Sequence, residues 1–362
     1  MKRTIPPPWY TANYSTFYEQ GPAGGHGGIP PTGSLWKSQE VFDFIYAHQN
    51  PANCSGLTFM RMHHSLSGIG SLVHITTAFL ALAIELNEVL IWDETFGDSW
   101  TKGDYCASSH SFECFFQPLS TCAPHNLLPD DAVIHDIFEN EDVVNKIPQM
   151  WHDAFQETQP SEGANRDVGV KYWWRAIAAA YIMRLNERTA DQMVRMRDAL
   201  HVARYIPWPL PLGSFSAHVR HSDKFKEMNL LNFENYAKAI RHAGKNGKEP
   251  IVFLSTEDPK VITDAMNMFP DTLLYTPYER KNPQSLTAHT LRGDEETLHS
   301  LLNLWIALEA THFVGQLGSN WNRLIDELRR VWVGNYETGG SSTRFIEVGC
   351  EHLDCKVDTN NW

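Results

Sequence analysis

No stretch of this chain stays apolar long enough to read as a membrane span. The most apolar run, from Gly70 to Trp92, is interrupted by His74, Glu85, Asn87 and Glu88, which suits a helix followed by a strand inside a folded core. Basic charge is scarce as well: 30 Lys and Arg face 43 Asp and Glu, a formal net charge of −13 with histidine neutral. That balance excludes the basic stripe a nucleic-acid binder needs, so no nucleic-acid partner is expected. An anionic small ligand stays compatible, because a few local arginines override the global sign. No apolar signal core follows Met1-Lys2-Arg3, so the expectation is either a cytoplasmic chain or a luminal one whose targeting segment, and any membrane association it brings, lies outside this sequence. No D-x-D triplet occurs, which leaves a divalent ion on a sugar diphosphate without evident ligands. No metal and no other cofactor is expected. The C-x-x-C spacing of a zinc site is also missing.

What is present is a large, aromatic-rich chain. Its 362 residues suggest two domains. With 42% apolar residues, 12% aromatics and 12 tryptophans, disorder over most of the length is excluded. Six cysteines (Cys54, Cys106, Cys114, Cys122, Cys350 and Cys355) form an even set with members close in sequence, a pattern of disulfides. Two N-x-S triplets, Asn13-Tyr14-Ser15 and Asn53-Cys54-Ser55, accompany them. A Golgi or secretory lumen is the favoured compartment, with six buried thiols in the cytoplasm as the alternative.

Residues 1–35 are rich in Gly, Pro, Tyr and Ser and read as a linker or stem. A first α/β domain is expected over 36–206. In it, a strand at 56–63, the turn Ser67-Gly68-Ile69-Gly70-Ser71, a helix from about 72 to 87 and a strand at 89–92 make one βαβ unit. Residues 94–125 read as cysteine-bearing loop, and 172–200 carries helical spacing. Pro207-Trp208-Pro209-Leu210-Pro211 marks the expected boundary. Beyond it, strands at 214–220, 251–255, 272–276 and 312–317 alternate with helices at 232–244, 259–268, 294–309 and 321–330. Such alternation predicts a parallel sheet in a Rossmann-like C-terminal domain, 207–345, followed by a tail, 346–362, with the last two cysteines.

Ligands of open α/β sheets sit beyond the carboxyl ends of the strands. Three strand ends here carry polar clusters. In Ala217-His218-Val219-Arg220-His221-Ser222-Asp223-Lys224, Arg220 either clamps two phosphate oxygens or pairs with a nearby carboxylate. Ser255-Thr256-Glu257-Asp258-Pro259 reads first as a helix N-cap. Gln316-Leu317-Gly318-Ser319-Asn320 either presents main-chain N–H groups to an anion or makes a plain capped turn. Gly68 and Gly70 form a fourth, weaker candidate.

These stretches resemble a known family. His218-Val219-Arg220-His221-Ser222-Asp223-Lys224 is similar to the first shared motif of the α1,6-fucosyltransferases, which typically reads H-V-R-R-x-D-K. Strand 251–255 with Ser255-Thr256-Glu257-Asp258-Pro259 looks like their second. Phe313 to Arg323 looks like the third, which usually ends S-S-Q-x-x-R. Upstream, Asn53-Cys54-Ser55, Ser67-Gly68-Ile69-Gly70, Tyr172-Trp173-Trp174 and Tyr181-Ile182-Met183-Arg184 follow in family order, so the resemblance spans about residues 45–330. It is nearest to the core N-glycan and nodulation types; the protein O-fucosyltransferases look more distant.

The resemblance implies a GT-B-like enzyme, two Rossmann-like domains facing a cleft, with the first domain on the acceptor side and the second holding the nucleotide sugar. It implies an inverting, metal-independent transfer of fucose from GDP-fucose to a glycan, at a GlcNAc 6-hydroxyl. Residue by residue, Arg220 would hold the donor β-phosphate. Ser319 and Asn320 would mark the phosphate-binding helix start, with Gly68 and Gly70 opposite, and His218 would lie beside the guanine. Lys224 and Glu227 would deprotonate the acceptor, and Tyr236 matches a tyrosine downstream. Cys54–Cys122 would be a disulfide, while Cys106–Cys114 and Cys350–Cys355 follow from proximity alone. The chain departs from the pattern at three places. His221 replaces a second arginine, Lys224 and Glu227 are one residue closer together, and Asn303 stands where an acidic partner of guanine is expected. It also shows neither the long helical stem nor the C-terminal SH3-like domain of the animal core enzyme, which leaves the acceptor open. A transferase for a different nucleotide sugar and a non-catalytic glycan-binding protein on the same fold are the alternatives.

Overall fold

Val41, Phe42, Ile45 and Tyr46 recur three and four apart and bury one face of helix α1 (Ser38–Gln49). After it come β1 (Thr58–His63), α2 (Ile69–Leu86) and β2 (Val89–Trp92), the expected βαβ unit. Phe59 lies opposite Val89 and Met62 opposite Trp92 in a parallel pair. This computed structural model describes residues 35–63, 67–94, 96–107, 109, 111–124, 127–138, 143, 146–158, 169–221, 229–244, 249–277, 293–333 and 345–349. The stem expected at 1–35 therefore lies outside the described residues except for Leu35, which is buried. The pair Cys350 and Cys355 lies outside them too.

Helix α2 is apolar nearly all round and, contrary to the expectation that no segment qualifies, is long and apolar enough to cross a membrane by length and composition. It is buried inside its unit, where Leu72, Val73, Phe79 and Leu80 are almost fully covered. The Trp174 indole donates to the Thr77 carbonyl at 3.0 Å. That is a core helix. A third strand, β3 (Val133–Phe138), lies parallel to β1 on the side away from β2. The sequence reading contained no strand there, because β3 is exposed along most of its length and shows no apolar alternation. A short helix α3 (Asp98–Thr101) and a 3₁₀ turn at Phe112–Cys114 lie in the loop between β2 and β3. That loop closes on itself through Cys106–Cys114, and Cys54–Cys122 ties it to the segment before β1. Phe59, Val89, Ile91, Cys122 and Ala123 pack together beneath it.

Helices α4 (Gln149–Thr158), α5 (Val170–Ile182) and α6 (Glu187–Arg204) follow. The helical spacing read over 172–200 resolves into α5 and α6 with a break at 183–186, where Leu185 bridges to Phe116 and Arg184 Nε donates to the Tyr181 carbonyl at 2.6 Å. The chain divides into two units inside α6. Among the described residues, one unit runs to Ala190 and takes in 327–333; the other holds Asp191–Asp326 and 345–349. The division thus precedes the proline cluster, because that cluster belongs to the second unit: Arg197 Nη2 donates to the Pro207 carbonyl, and Leu210 N–H donates to Glu309 at 2.9 Å.

The second unit alternates as predicted: β4 (Phe215–Val219), α7 (Phe233–Ala243), β5 (Val252–Thr256), α8 (Pro259–Met268), β6 (Leu273–Tyr275), α9 (Asp294–Glu309), β7 (His312–Gly315) and α10 (Asn320–Leu328). A π-helical turn, Arg329–Val333, ends α10. A short strand not expected from the sequence, β8 (Phe345–Glu347), completes a five-stranded sheet of order β6-β5-β4-β7-β8. Every pair is parallel. Phe215, Ala217, Val219, Val252, Leu254 and Val314 point to one face, under Tyr236 and Ile240 of α7 and Val261 and Ala265 of α8. Helix α9 packs on β4 and β5 without joining that cluster, which places helices on both faces.

Candidate functional site

Because the five strands are parallel, all their carboxyl ends lie along one edge of the sheet. Val219 leads there to Arg220, Thr256 to Glu257, Tyr275 to Thr276 and Gly315 to Gln316. Arg220 does not stand alone. Its Nη1 donates to Glu257 Oε1 at 2.5 Å, with 15% of the arginine side chain and 8% of the glutamate exposed. The same oxygen accepts the His221 main-chain N–H at 2.8 Å. The carboxylate partner of Arg220 is therefore Glu257. Burial is the largest single influence and works against ionising Glu257, but the Arg220 guanidinium, His218 and the hydrogen bonds to the carboxylate together outweigh it and hold the carboxyl below the usual range.

His221 extends the network. Its Nδ1 lies 2.8 Å from Asp258 Oδ2 and its Nε2 3.0 Å from the Leu231 carbonyl, so both nitrogens face acceptors. Asp258 divides its two oxygens between this ring and the start of α8, where Oδ1 accepts from Lys260 N–H at 2.9 Å. With Pro259 at the first helical position, Asp258 is the expected N-cap.

A second network starts on β7. Asn322 Nδ2 donates to the Gln316 carbonyl at 2.9 Å, which turns Oδ1 toward His218, and His218 Nδ1–H donates to it. This needs glycine at 315: a Cβ there would stand 2.7 Å from Asn322 Nδ2. His218 is nearly buried, and burial, reinforced by Arg220 and opposed by Glu257 and Asn322, pushes its imidazole down from 6.5 to about 4. The ring is therefore neutral near pH 7. The unfolded chain binds a proton between the two values that the native state refuses, so stability rises with pH across that interval. His218 contributes fully above 6.5 and loses about 3 kcal/mol as pH falls to 4. Denaturant titrations should show a shallower pH dependence, by that amount, in His218→Asn; an unchanged slope would remove His218 as its cause.

The remaining candidates distribute unevenly. Tyr236, expected to face the donor, is fully buried, and its hydroxyl donates to Gln316 Oε1 at 3.0 Å. Ser319 is buried at the turn into α10, its N–H on the Gln316 carbonyl at 3.2 Å, and Asn320 opens the helix. Asn303, on α9, accepts from Thr276 Oγ1 at 3.0 Å. Gly68 and Gly70 belong to the other unit, at the start of α2, where Gly68 is the N-cap without a side-chain cap. Lys224 and Glu227 lie outside the described residues. Sequence reasoning missed Asn322 and Glu347. Glu347 stands opposite Gly315 and accepts from the Leu317 main chain; burial pushes its carboxyl up.

Comparison with family models gives no match, and nothing matches among curated proteins. Among solved structures the chain is similar to the α1,6-fucosyltransferase NodZ co-crystallised with GDP (15% identity, TM-score 0.43, 75% of this chain and 92% of that one). It is similar to the same enzyme from Bradyrhizobium (16%, 0.43, 74% and 91%), and to POFUT1 in its apo form (11%, 0.43, 82% and 99%).

Proposed function

We propose that this chain is a glycosyltransferase that moves fucose from GDP-fucose to a glycan hydroxyl, with inversion and without a metal. One observation carries the reading. Three motifs far apart in sequence, with described residues 218–221, 255–259 and 313–323, come together along the carboxyl edge of one parallel sheet, the edge where α/β folds bind ligands. As the glycosyl bond breaks, the sugar gains positive and the diphosphate negative charge. Arg220, its plane set by Glu257, answers the charge on the diphosphate, together with the main chain at Ser319 and Asn320. Neutral His218, oriented by Asn322, lies beside the base. Glu227, acting with Lys224, takes the acceptor's proton.

A second reading, a different nucleotide sugar, is favoured by Asn303, whose side-chain oxygen already accepts the Thr276 hydroxyl; guanine presents two donors that a carboxylate accepts better. Calorimetric titration separates the two. GDP should bind and UDP and ADP should not, and GDP-fucose should be turned over. Preference for UDP or ADP would overturn the donor, and GDP binding without turnover would point to the non-catalytic alternative.

A further inference from the structure

Asn53-Cys54-Ser55 lies in the loop between α1 and β1, with Asn53 and Ser55 exposed, as are Ala52 and Gly56. Asn53 Oδ1 accepts from Ser55 N–H at 3.0 Å, so the turn uses the amide oxygen and not the nitrogen. Ser55 Oγ donates to Asp131 at 2.5 Å, and Cys54 is bonded to Cys122. We propose that Asn53 carries an N-linked glycan, and that glycan attachment and closure of Cys54–Cys122 compete for this one tripeptide.

The triplet is an acceptor sequence by composition, and the two disulfides belong to an oxidising compartment. The donor is a lipid diphosphate-linked oligosaccharide. The Asn53 nitrogen bonds to its anomeric carbon and loses one proton, the bond from that carbon to the diphosphate oxygen breaks, and the lipid diphosphate leaves with the electron pair. In the folded chain the triplet is bent, its cysteine is pinned, and its serine hydroxyl is held by Asp131. Attachment therefore precedes closure. Cys122 follows Cys54 by 68 residues, which take about 3–14 s to synthesise, while thiol oxidation runs from seconds upward. The interval is short enough for the two reactions to overlap. Folding afterwards tolerates the glycan, since Asn53 is exposed and the turn uses its amide oxygen.

The full chain behind a cleavable secretory signal is translated with microsomes, and the protease-protected fraction is deglycosylated enzymatically in heavy-oxygen water for peptide mass spectrometry. Heavy-oxygen aspartate is expected at position 53 in part of the wild-type chains. Mild reductant during synthesis, or Cys122→Ser, should at least double that fraction, while Asn13-Tyr14-Ser15, without a cysteine, serves as the in-chain reference that reductant leaves unchanged. Ser55→Ala should abolish the label and Ser55→Thr increase it. An unlabelled Asn53 with and without reductant overturns the site. Equal labelling under the two conditions overturns the competition.

Discussion

Arg220→Ala should lower transfer from GDP-fucose by about 10²–10³-fold, some 3–4 kcal/mol of lost charge stabilisation on the leaving diphosphate. It should also destabilise the fold, because Glu257, with 8% of its side chain exposed, loses the cation beside it; a stranded carboxylate of this kind costs about 1–3 kcal/mol. The two losses have different origins and can be parted. Adding Glu257→Gln to Arg220→Ala removes the stranded charge while keeping an acceptor for the His221 N–H. Stability, read from the denaturant midpoint, should then return toward wild type while turnover stays low. If the double variant recovers both, Arg220 serves only to neutralise Glu257. If Arg220→Ala alone turns over normally, the guanidinium has no part in the reaction. Arg220→Lys should fall between, since an ammonium offers charge without a planar fork.

The same pair shows where the sequence was readable. A cation after an apolar strand, ahead of a polar turn, marked Arg220 from local pattern, and the runs that became β4, β5 and β7 were bounded by turn residues on both sides. The N-cap of α8 was equally local: Asp258 followed by Pro259 has one physical reading. What pattern could not reveal was partnership across the fold. Glu257 stood beside a helix start and looked like part of its cap, yet Asp258 does the capping and Glu257 faces Arg220, 37 residues away. Tyr236 looked like a ligand contact, and the α7 face that carries it is buried. Asn322 acquires its role only because Gly315 lets it approach the strand. Strand β3 escaped because its anchor is not apolar: Arg61 holds Asp136 through Nε at 2.7 Å and Nη2 at 3.0 Å, half in solvent.

Glu309→Ala should be the most destabilising single change in the second unit, about 3–5 kcal/mol, a large share of the ~5–15 kcal/mol that typically holds a domain folded. Glu309 and Arg197 have no exposed side-chain surface and join through two bonds, Nε to Oε1 at 2.9 Å and Nη2 to Oε2 at 2.7 Å. Alanine leaves the Arg197 charge buried without its counter-ion and takes away the acceptor of the Leu210 N–H. Replacing both partners, Arg197→Met with Glu309→Leu, removes the charge problem, and in many buried pairs that swap is nearly neutral. Here it should recover only part of the loss. Arg197 also donates to the Ile206 and Pro207 carbonyls; Ile206 keeps the His201 Nδ1–H, but the double variant takes this donor from Pro207 and the Glu309 acceptor from the Leu210 N–H, at about 1 kcal/mol or more each. Urea titrations of the two singles and the double decide the matter: full recovery in the double would mean that water reaches the 206–210 segment, and no loss in Glu309→Ala would mean that Arg197 finds another counter-ion. Glu309 ends α9 just ahead of β7, and the 206–210 segment it holds precedes β4, so the pair lies toward the amino ends of the strands, and a transferase assay on folded Glu309→Ala at low temperature should read near wild type, separating the scaffold from the carboxyl-edge cluster that Arg220→Ala disables.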